Sequence, residues 1–323
     1  MKDRQLGTQG LSTSAIGYGS MGISRAYSPG PGDRARGVRA IRRAHELGVT
    51  LFDTAELYGW GENEKVLGEA TASFRDDIVI GTKFGFVPPA FEVDSSPDHI
   101  RGVVDNSLRF LRTDHIDILY QHRQDPAVPV EEVAGAVKDL IDAGKVKYFG
   151  LCEAGEHTIR AAHAVQPVSV LQSEYSIFER DVEGLFPLLS ELGIGLVACS
   201  PLGRGLLTGK AKPAGAYGEG DVRNRYPQWQ PDNFERNVDT VARLSGVAES
   251  LGVTTAQLAL AWLLAQGDNI VPVPGSRSLT RVEENIGSTD VNLSPSDLAR
   301  VVQIVPDGAS GDRYPESARP VWH

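Results

Sequence analysis

Eight short apolar runs alternate with helical patterns along the chain, and this alternation restricts the possible folds most strongly. After each run, apolar residues recur three or four positions apart, as on one face of a helix. The runs are apolar at nearly every position, which is typical of parallel strands covered on both faces. They occupy residues 14–20, 49–54, 77–83, 115–122, 146–152, 168–175, 194–200 and 269–276. Eight strand–helix units in 323 residues predict an α/β chain folded as a single (β/α)₈ TIM barrel domain over 1–323.

Further predictions concern individual segments of the chain. Residues 4–12 resemble a small N-terminal hairpin, and an extra helix is expected near 294–304, followed by an extended tail. The Gly- and Pro-rich stretch 210–220 interrupts the seventh unit, so we interpret it as a long loop over the site. Ser96 and Pro97 have the residue types of an N-cap and first position, so a helix is predicted to begin there.

The composition limits which binding partners and which cellular compartment are expected. The formal net charge of -10 repels nucleic acid and anionic membranes, so neither is an expected partner. The first ten residues lack the apolar stretch of a signal peptide, and no run is long enough to span a membrane. Cys152 and Cys199 are the two cysteines, without metal-type spacing. A cytoplasmic protein without a disulfide framework or a metal site is expected.

Four polar residues stand at or just after consecutive predicted strands. Asp53 ends the second strand, Lys83 the third and His122 the fourth, while Tyr58 lies in the loop after the second. Each alone has a structural explanation as a helix cap, a solvated lysine, a core histidine or a packing ring. Active sites of (β/α)₈ barrels lie at the carboxyl ends of the strands, so the four together favour a shared function.

The chemistry of these groups indicates proton transfer. A neutral Tyr58 could donate its proton to a carbonyl oxygen, and an adjacent Lys83 ammonium would lower the pKa of the phenol. Asp53 would keep Lys83 charged, and His122 would orient the substrate oxygen or share the proton. The set contains neither a nucleophile for acyl transfer nor a metal-ligand cluster. Reduction by a hydride cofactor completes such a reaction.

Two segments are candidates for binding a cofactor. "GYGSMG" (17–22) matches the dinucleotide fingerprint, but no helix opens at its third glycine, so we interpret it as a strand-end loop. At the eighth unit, Gly275 and Ser276 lead into a helix beside Arg277 and Arg281, which predicts a phosphate site. A capped surface helix, with Arg281 paired to Glu284 or to nearby acids, is the alternative.

Six segments together resemble the aldo-keto reductase superfamily over essentially the whole chain. They are "LFDTAELYG", "IGTKFG", "LYQHRQD", "LQSEYS", "SPLGRGLLTG" and "PGSRSLTRVEENIG". The "QHR" and "PGSR" signatures are most similar to the bacterial and plant branch. The resemblance implies a (β/α)₈ barrel, reduction of small-molecule aldehydes and ketones with NADPH, and a catalytic tetrad. That tetrad consists of Asp53, Tyr58, Lys83 and His122.

The resemblance also implies where the cofactor binds. Cys152, Glu153 and Gln172 correspond to the site for the nicotinamide carboxamide, and Gly19 and Met21 lie in the adjoining loop. The remaining implied cofactor residues are Cys199 beside the nicotinamide; Ser200, Leu202, Gly203 and Arg204 along the pyrophosphate; Gly275, Ser276, Arg277 and Arg281 around the 2′-phosphate; and Glu284 and Asn285 at the adenine.

Three of these positions depart from the family pattern. Gly275 stands where lysine opens the 2′-phosphate segment, and Cys152 where serine is common. Cys199 replaces an aromatic ring that stacks on the nicotinamide, which bears on cofactor affinity and rate.

The sequence is also compatible with alternatives to a reductase. Some relatives of this barrel are cofactor-binding regulatory or redox-sensing subunits with secondary reductase activity, and the reverse reaction, alcohol oxidation, uses the same groups. A metal-dependent hydrolase would need ligands that the strand ends do not supply. The loops also contain aromatic residues that could line a substrate pocket, and the sequence does not indicate the oligomeric state. These aromatic residues are Tyr27, Trp60, Phe84, Tyr217, Trp229 and Trp322.

Overall fold

Eight parallel strands form the central sheet of the computed structural model, which describes residues 1–24, 27, 33–88 and 92–316. Each barrel strand pairs with the next along the chain. The amides of Gly17 and Gly19 donate to the carbonyls of Pro272 (2.9 Å) and Pro274 (3.2 Å), which joins the eighth strand to the first. The predicted (β/α)₈ barrel is confirmed. Its strands, first to eighth, are Tyr18–Gly19, Leu51–Asp53, Val79–Phe84, Ile116–Gln121, Val146–Cys152, Val168–Glu174, Gly195–Cys199 and Ile270–Pro272.

A helix follows every barrel strand, and the seventh unit contains two helices, α7 and α8. In chain order the helices are α1 Asp33–Glu46, α2 Glu62–Thr71, α3 Pro97–Leu111, α4 Val130–Asp142, α5 Glu156–Val165, α6 Phe186–Leu192, α7 Pro231–Ser250, α8 Thr255–Leu264, α9 Leu279–Ile286 and α10 Pro295–Ile304. The predicted extra helix is α10, which packs on α7. Within the described ranges no single helix has the length and apolar composition to cross a membrane, although α7 and α8 together, bent by 83°, reach that threshold.

Helix boundaries follow the capping chemistry of the sequence. The side chain of Ser96 accepts a hydrogen bond from the amide of His99, and Pro97 occupies the first turn of α3, as predicted. The helical segment after the sixth strand begins as a 3₁₀ segment, Asp181–Leu185, before α6. Pro187 in the first turn of α6 explains this, because proline has no amide to continue an α-helical ladder backward.

The N-terminal hairpin closes one end of the barrel. Asp3–Gln5 and Ser12–Ser14 pair antiparallel, and Leu6 and Leu11 between them are buried with residues of the barrel interior. The amide of Thr8 donates to the carbonyl of Gly193, just before the seventh strand (2.9 Å). The hairpin therefore covers the amino ends of the strands, which leaves the carboxyl ends open for a site.

A tyrosine fills the barrel interior beneath those carboxyl ends. Tyr120 is fully buried, and its ring centroid lies 5.8 Å from Nζ of Lys83. A Cβ atom placed on Gly150, in the neighbouring strand, would lie 2.3 Å from a carbon of the Tyr120 ring. Glycine at this position is therefore required for the large ring to fit.

We expect Gly150→Ala to lower the free energy of unfolding by about 1 to 3 kcal/mol, because an extra methyl group overpacks the interior. The matched control is Gly102→Ala in α3, where a new Cβ would meet no heavy atom within 4 Å. That control should be neutral or stabilising by about 0.5 to 1 kcal/mol, because alanine favours helix. Urea denaturation of both variants checks the contrast, and equal stabilities would contradict the account of this packing.

Candidate active site

The second and third strands bring a carboxylate and an ammonium together out of water. Nζ of Lys83 donates to Oδ1 of Asp53 (2.6 Å) and to the carbonyl of Thr54 (2.7 Å). Gln172, on the sixth strand, donates through Nε2 to Oδ2 of Asp53 (2.7 Å). Lys83 is fully buried and Asp53 nearly so. Both carboxylate oxygens are thus engaged, as a buried charge requires.

Tyr58 reaches this pair because the loop after the second strand turns back sharply. The amide of Tyr58 donates to the carbonyl of Ala55 (3.1 Å), and Gly59 and Gly61 have positive φ. Nζ of Lys83 lies 5.1 Å from the centroid of the Tyr58 ring. The turn therefore places both Asp53 and Tyr58 against the same lysine.

His122 lies beside Tyr58, just after the fourth strand. Its ring meets the Tyr58 ring edge-on, with centroids 5.9 Å apart, and its amide donates to the carbonyl of Phe84 (2.9 Å). Nδ1 is buried and has no hydrogen-bond partner in the described structure. Burial, and then the positive charges of Lys83 and Arg123, hold the pKa of His122 well below its usual value. The imidazole is therefore neutral at pH 7.

The ionisation states of Lys83 and Tyr58 follow from burial and charge. Burial tends to lower the pKa of Lys83, but Asp53 and Tyr58 outweigh it, so its pKa is raised and the ammonium persists. Burial raises the pKa of Tyr58 above its usual value, and the opposing effect of Lys83 is smaller. The contribution of Lys83 to this pKa has the expected direction, but the effect of burial is larger. Tyr58 is a protonated phenol.

A cavity of about 490 Å³ opens from this end of the barrel. It runs from Tyr58 and His122 toward the start of α9. Lys83 lies behind the wall of this cleft, and Gly203 is outside it. The other residues predicted from the sequence line the cleft: Gly19, Met21, Asp53, Tyr58, His122, Cys152, Glu153, Gln172, Cys199, Ser200, Leu202, Arg204, Gly275, Ser276, Arg277, Arg281, Glu284 and Asn285.

The far end of the cleft contains two arginines in different states. Arg277 forms an ion pair with Asp33 at the start of α1 and donates to the carbonyl of Tyr27 (3.2 Å). Arg281 is exposed and forms no ion pair or hydrogen bond with any residue that the structure describes. Pairing of Arg281 with Glu284 is therefore not observed.

Gly275 is needed for the first and eighth units to meet at this end of the cleft. A Cβ atom on Gly275 would lie 2.2 Å from the carbonyl oxygen of Gly19. No side chain fits there. This close approach gives a physical reason for glycine, rather than lysine, at position 275.

The loop after the seventh strand is held by a buried ion pair. Arg204 donates through Nη1 and Nη2 to the two carboxylate oxygens of Glu174 (2.8 and 2.6 Å). Its guanidinium lies 4.5 Å from the ring centroid of Tyr226 and 4.9 Å from that of Tyr314. Arg204, Ser200 and Glu153 have positive φ, so three predicted cofactor residues adopt a backbone conformation that costs free energy in non-glycine residues.

Comparison with known proteins assigns the chain to a family. The sequence model described as "Aldo/keto reductase family" matches residues 15–306. This chain belongs to the aldo/keto reductase family. It is 41% identical over 316 residues to "Probable aldo-keto reductase 1" of Glycine max, covering 96% of this chain and 91% of that protein. It is 39% identical to "Aldo-keto reductase yakc [NADP(+)]" of Schizosaccharomyces pombe, covering 94% and 92%.

The fold of this aldo/keto reductase is similar to solved structures. The glycerol dehydrogenase of Gluconobacter oxydans superposes with a TM-score of 0.86 at 26% sequence identity, covering 99% of this chain and 98% of that one. The coverage shows that the similarity spans nearly the whole of both chains.

Several residues of the site were not found from the sequence. Arg123 directly follows His122, and Glu174 lies two residues after Gln172 at the end of the sixth strand, so their positions at strand ends were an available signal. Arg313 and Tyr314 of the C-terminal tail are a different case. Tyr314 lines the cleft, and Arg313 forms an ion pair with Glu153 (3.0 Å). No local pattern connects a tail to a strand end 160 residues earlier.

The aromatic residues that the sequence suggested as pocket walls occupy different positions relative to the cleft. Tyr27 lines the cleft, whereas Phe84 and Trp229 are fully buried and are not part of its wall. Trp60 and Tyr217 are half-buried and lie outside that wall. Trp322 lies outside the described residues. Tyr226 and Tyr314 line the cleft instead.

The two cysteines that depart from the family pattern are free thiols lining the cleft. Burial raises the pKa of Cys152 to about 12. Burial also raises the pKa of Cys199 well above its usual value, and the neighbouring carboxylates of Glu153 and Glu174 act in the same direction. Both thiols are therefore protonated near pH 7. Among the described residues, no three His, Cys, Asp or Glu side chains are grouped as metal ligands.

Glu56 lies between Asp53 and Tyr58 and is buried enough to titrate near neutrality. Its Oε1 accepts hydrogen bonds from the amides of Gly85 (2.9 Å) and Phe86 (3.1 Å). Burial raises the pKa of Glu56 to about 7, although these two bonds act in the opposite direction. The folded state therefore binds a proton more tightly than the unfolded chain.

We expect the wild type to lose stability relative to Glu56→Gln as the pH rises from about 4.5 to about 7. The raised pKa of Glu56 favours the protonated folded form. The stabilisation from this proton is complete below the pKa of the unfolded chain, and it is lost as the pH rises through the pKa of the folded state. The loss is at most about 1.4 kcal/mol per pH unit. Glutamine keeps an acceptor for both amides, so it is the matched comparison. Urea denaturation across this range would give parallel curves if Glu56 did not titrate there.

Proposed function

We propose that this aldo/keto reductase reduces aldehydes and ketones to alcohols with NADPH. One observation carries the proposal: a protonated phenol, Tyr58, lines the cleft against the buried Lys83–Asp53 ion pair. A hydride donor and a proton donor must act on one carbonyl group, and Tyr58 is suited to supply the proton. The cleft beside it leads to a second end where cationic side chains gather.

The residues present are suited to a dinucleotide with a 2′-phosphate. Arg281 has an exposed guanidinium without a described partner, and it lies on the first turn of α9, whose amide groups favour an anion. Arg277 could add a second charge once its pairing with Asp33 is shared or released. The relative from Schizosaccharomyces pombe is named for NADP(+), which agrees with this assignment. When bound, the cofactor supplies the hydride.

The protein side of the reaction is a proton transfer with charge compensation. The hydroxyl of Tyr58 donates its proton to the substrate oxygen as that oxygen gains negative charge. The tyrosinate left behind is stabilised by the Lys83 ammonium, which Asp53 keeps charged and in place. His122 is neutral, so one ring nitrogen can donate a hydrogen bond to the substrate oxygen without delivering a full charge.

We expect Tyr58→Phe to lower kcat for an aromatic aldehyde by about 10²- to 10⁴-fold, because it removes the general acid alone. NADPH binding, measured by isothermal titration calorimetry, should be retained because the ring remains. Tyr148→Phe is the matched control, since Tyr148 lies beside Gly10 of the N-terminal hairpin, at the opposite end of the barrel. Turnover is measured as loss of NADPH absorbance with the alcohol product quantified.

The outcomes separate this proposal from a regulatory subunit that only binds the cofactor. NADPH binding without turnover by the wild type, across a panel of aldehydes, would support the regulatory role. Full activity of Tyr58→Phe would remove Tyr58 as the acid. Absence of NADPH binding would overturn the proposal.

A further inference from the structure

Three arginines surround the ring of Tyr314 at the catalytic end of the cleft. The guanidinium carbons of Arg204, Arg313 and Arg123 lie 4.9, 5.4 and 5.9 Å from its centroid. Arg204 is paired with Glu174, and Arg313 with Glu153. Arg123 is the exception, since no carboxylate of the described structure lies within ion-pair distance of it. Arg123 therefore lacks a direct ion-pair partner among the described residues, whereas Arg313 has two, since Glu179 also lies 3.8 Å from it.

The hydrogen bonds of Arg123 leave most of its donors available. Nη1 donates to the carbonyl of His122 (2.8 Å), which fixes the side chain beside the reacting groups. Nε and Nη2 make no hydrogen bond with any described residue, and the side chain lines the cleft. Asp125, two residues along, accepts from the amides of Ser95 and Ala127 instead (2.9 Å each).

The groups on which the charge of Arg123 acts show where this charge lies. It is at the substrate end of the cleft rather than at the phosphate end. Its positive charge acts to lower the pKa of His122 and of Cys152, both at the ends of central strands. Burial opposes the charge of Arg123 itself, but neighbouring Tyr314 and Glu153 outweigh burial, and its pKa is raised. A half-buried, permanently charged guanidinium thus faces the space where a substrate would lie beside Tyr58.

We propose that Arg123 binds a carboxylate carried by the substrate, so that oxo acids are the preferred substrate class of this enzyme. This inference rests on the proposed function. A planar guanidinium pairs with a carboxylate through two parallel hydrogen bonds, and such charge-assisted pairs are stronger than neutral ones. A substrate carboxylate would also supply the direct ion-pair partner that Arg123 lacks among the described residues. Arg123 is then a specificity-determining residue, while proton transfer remains with Tyr58.

The test compares two aldehydes that differ in charge and in one methyl group. 4-Carboxybenzaldehyde carries a carboxylate, and methyl 4-formylbenzoate presents the same aldehyde with the charge masked as an ester. We expect the wild type to reduce the acid with the higher kcat/KM. In Arg123→Met the ratio of acid to ester kcat/KM should fall about 10- to 100-fold, through KM for the acid, because a charge-assisted bond is lost.

Two further variants separate recognition from structural damage. Arg123→Lys keeps the charge without the planar fork, so its acid-to-ester ratio should be intermediate. Arg112→Met removes an exposed arginine remote from the cleft and should leave the ratio unchanged. Should Arg123→Met fail to fold, inhibition of the wild type gives the answer. Benzoate should compete with the ester substrate, and methyl benzoate should not.

Failure of this inference is distinguishable from failure of the proposed function. Equal kcat/KM values for acid and ester in the wild type would overturn the role of Arg123 while the reductase assignment stands. An unchanged ratio in Arg123→Met would do the same. Absence of NADPH oxidation with either aldehyde would instead remove the proposed function on which the inference rests.

Discussion

The ion pair between Asp53 and Lys83 is the interaction on which the rest of the site depends. Both charges are buried, and taking them out of water is tolerated because each compensates the other and further hydrogen bonds support the pair. The carbonyl of Thr54 accepts a second hydrogen bond from the lysine, and Gln172 donates to the second carboxylate oxygen, so one network joins the second, third and sixth strands. The turn that follows Asp53 then places the Tyr58 ring against the lysine ammonium.

The same principle extends to the rest of the cleft. Buried charges there occur as matched pairs, Arg204 with Glu174 and Arg313 with Glu153, which fasten the seventh loop and the C-terminal tail to strand ends. Among the cleft cations that the structure describes, Arg123, Lys210 and Arg281 have no such partner. Arg123 lies at the catalytic end and Arg281 at the far end, whereas Lys210 is exposed at the start of the Gly- and Pro-rich loop. That contrast is the physical basis for expecting an anionic group of a ligand at both ends.

Much of the fold was predictable because a parallel barrel repeats one local pattern. Apolar runs and the helices after them specify the strands, and strand order follows chain order, so Asp53, Lys83 and His122 could be expected on one face. The ion pair of Arg277 with Asp33 joins residues 244 positions apart, and no local pattern encodes it. The position of Tyr314 depends likewise on how the tail returns over the barrel. The pKa of Tyr58 could not be foreseen, since it depends on how completely the folded chain excludes water.

The measurement that tests this account most directly is a double-variant cycle on the buried pair. Asp53→Asn leaves the Lys83 ammonium buried without its counter-charge, so we expect the free energy of unfolding to fall by about 3 to 5 kcal/mol and NADPH-dependent turnover to be lost. Adding Lys83→Met removes the uncompensated charge, so stability should largely recover while turnover remains absent. If Asp53→Asn unfolds like the wild type and still reduces aldehydes, the pair does not organise the site and the account is wrong.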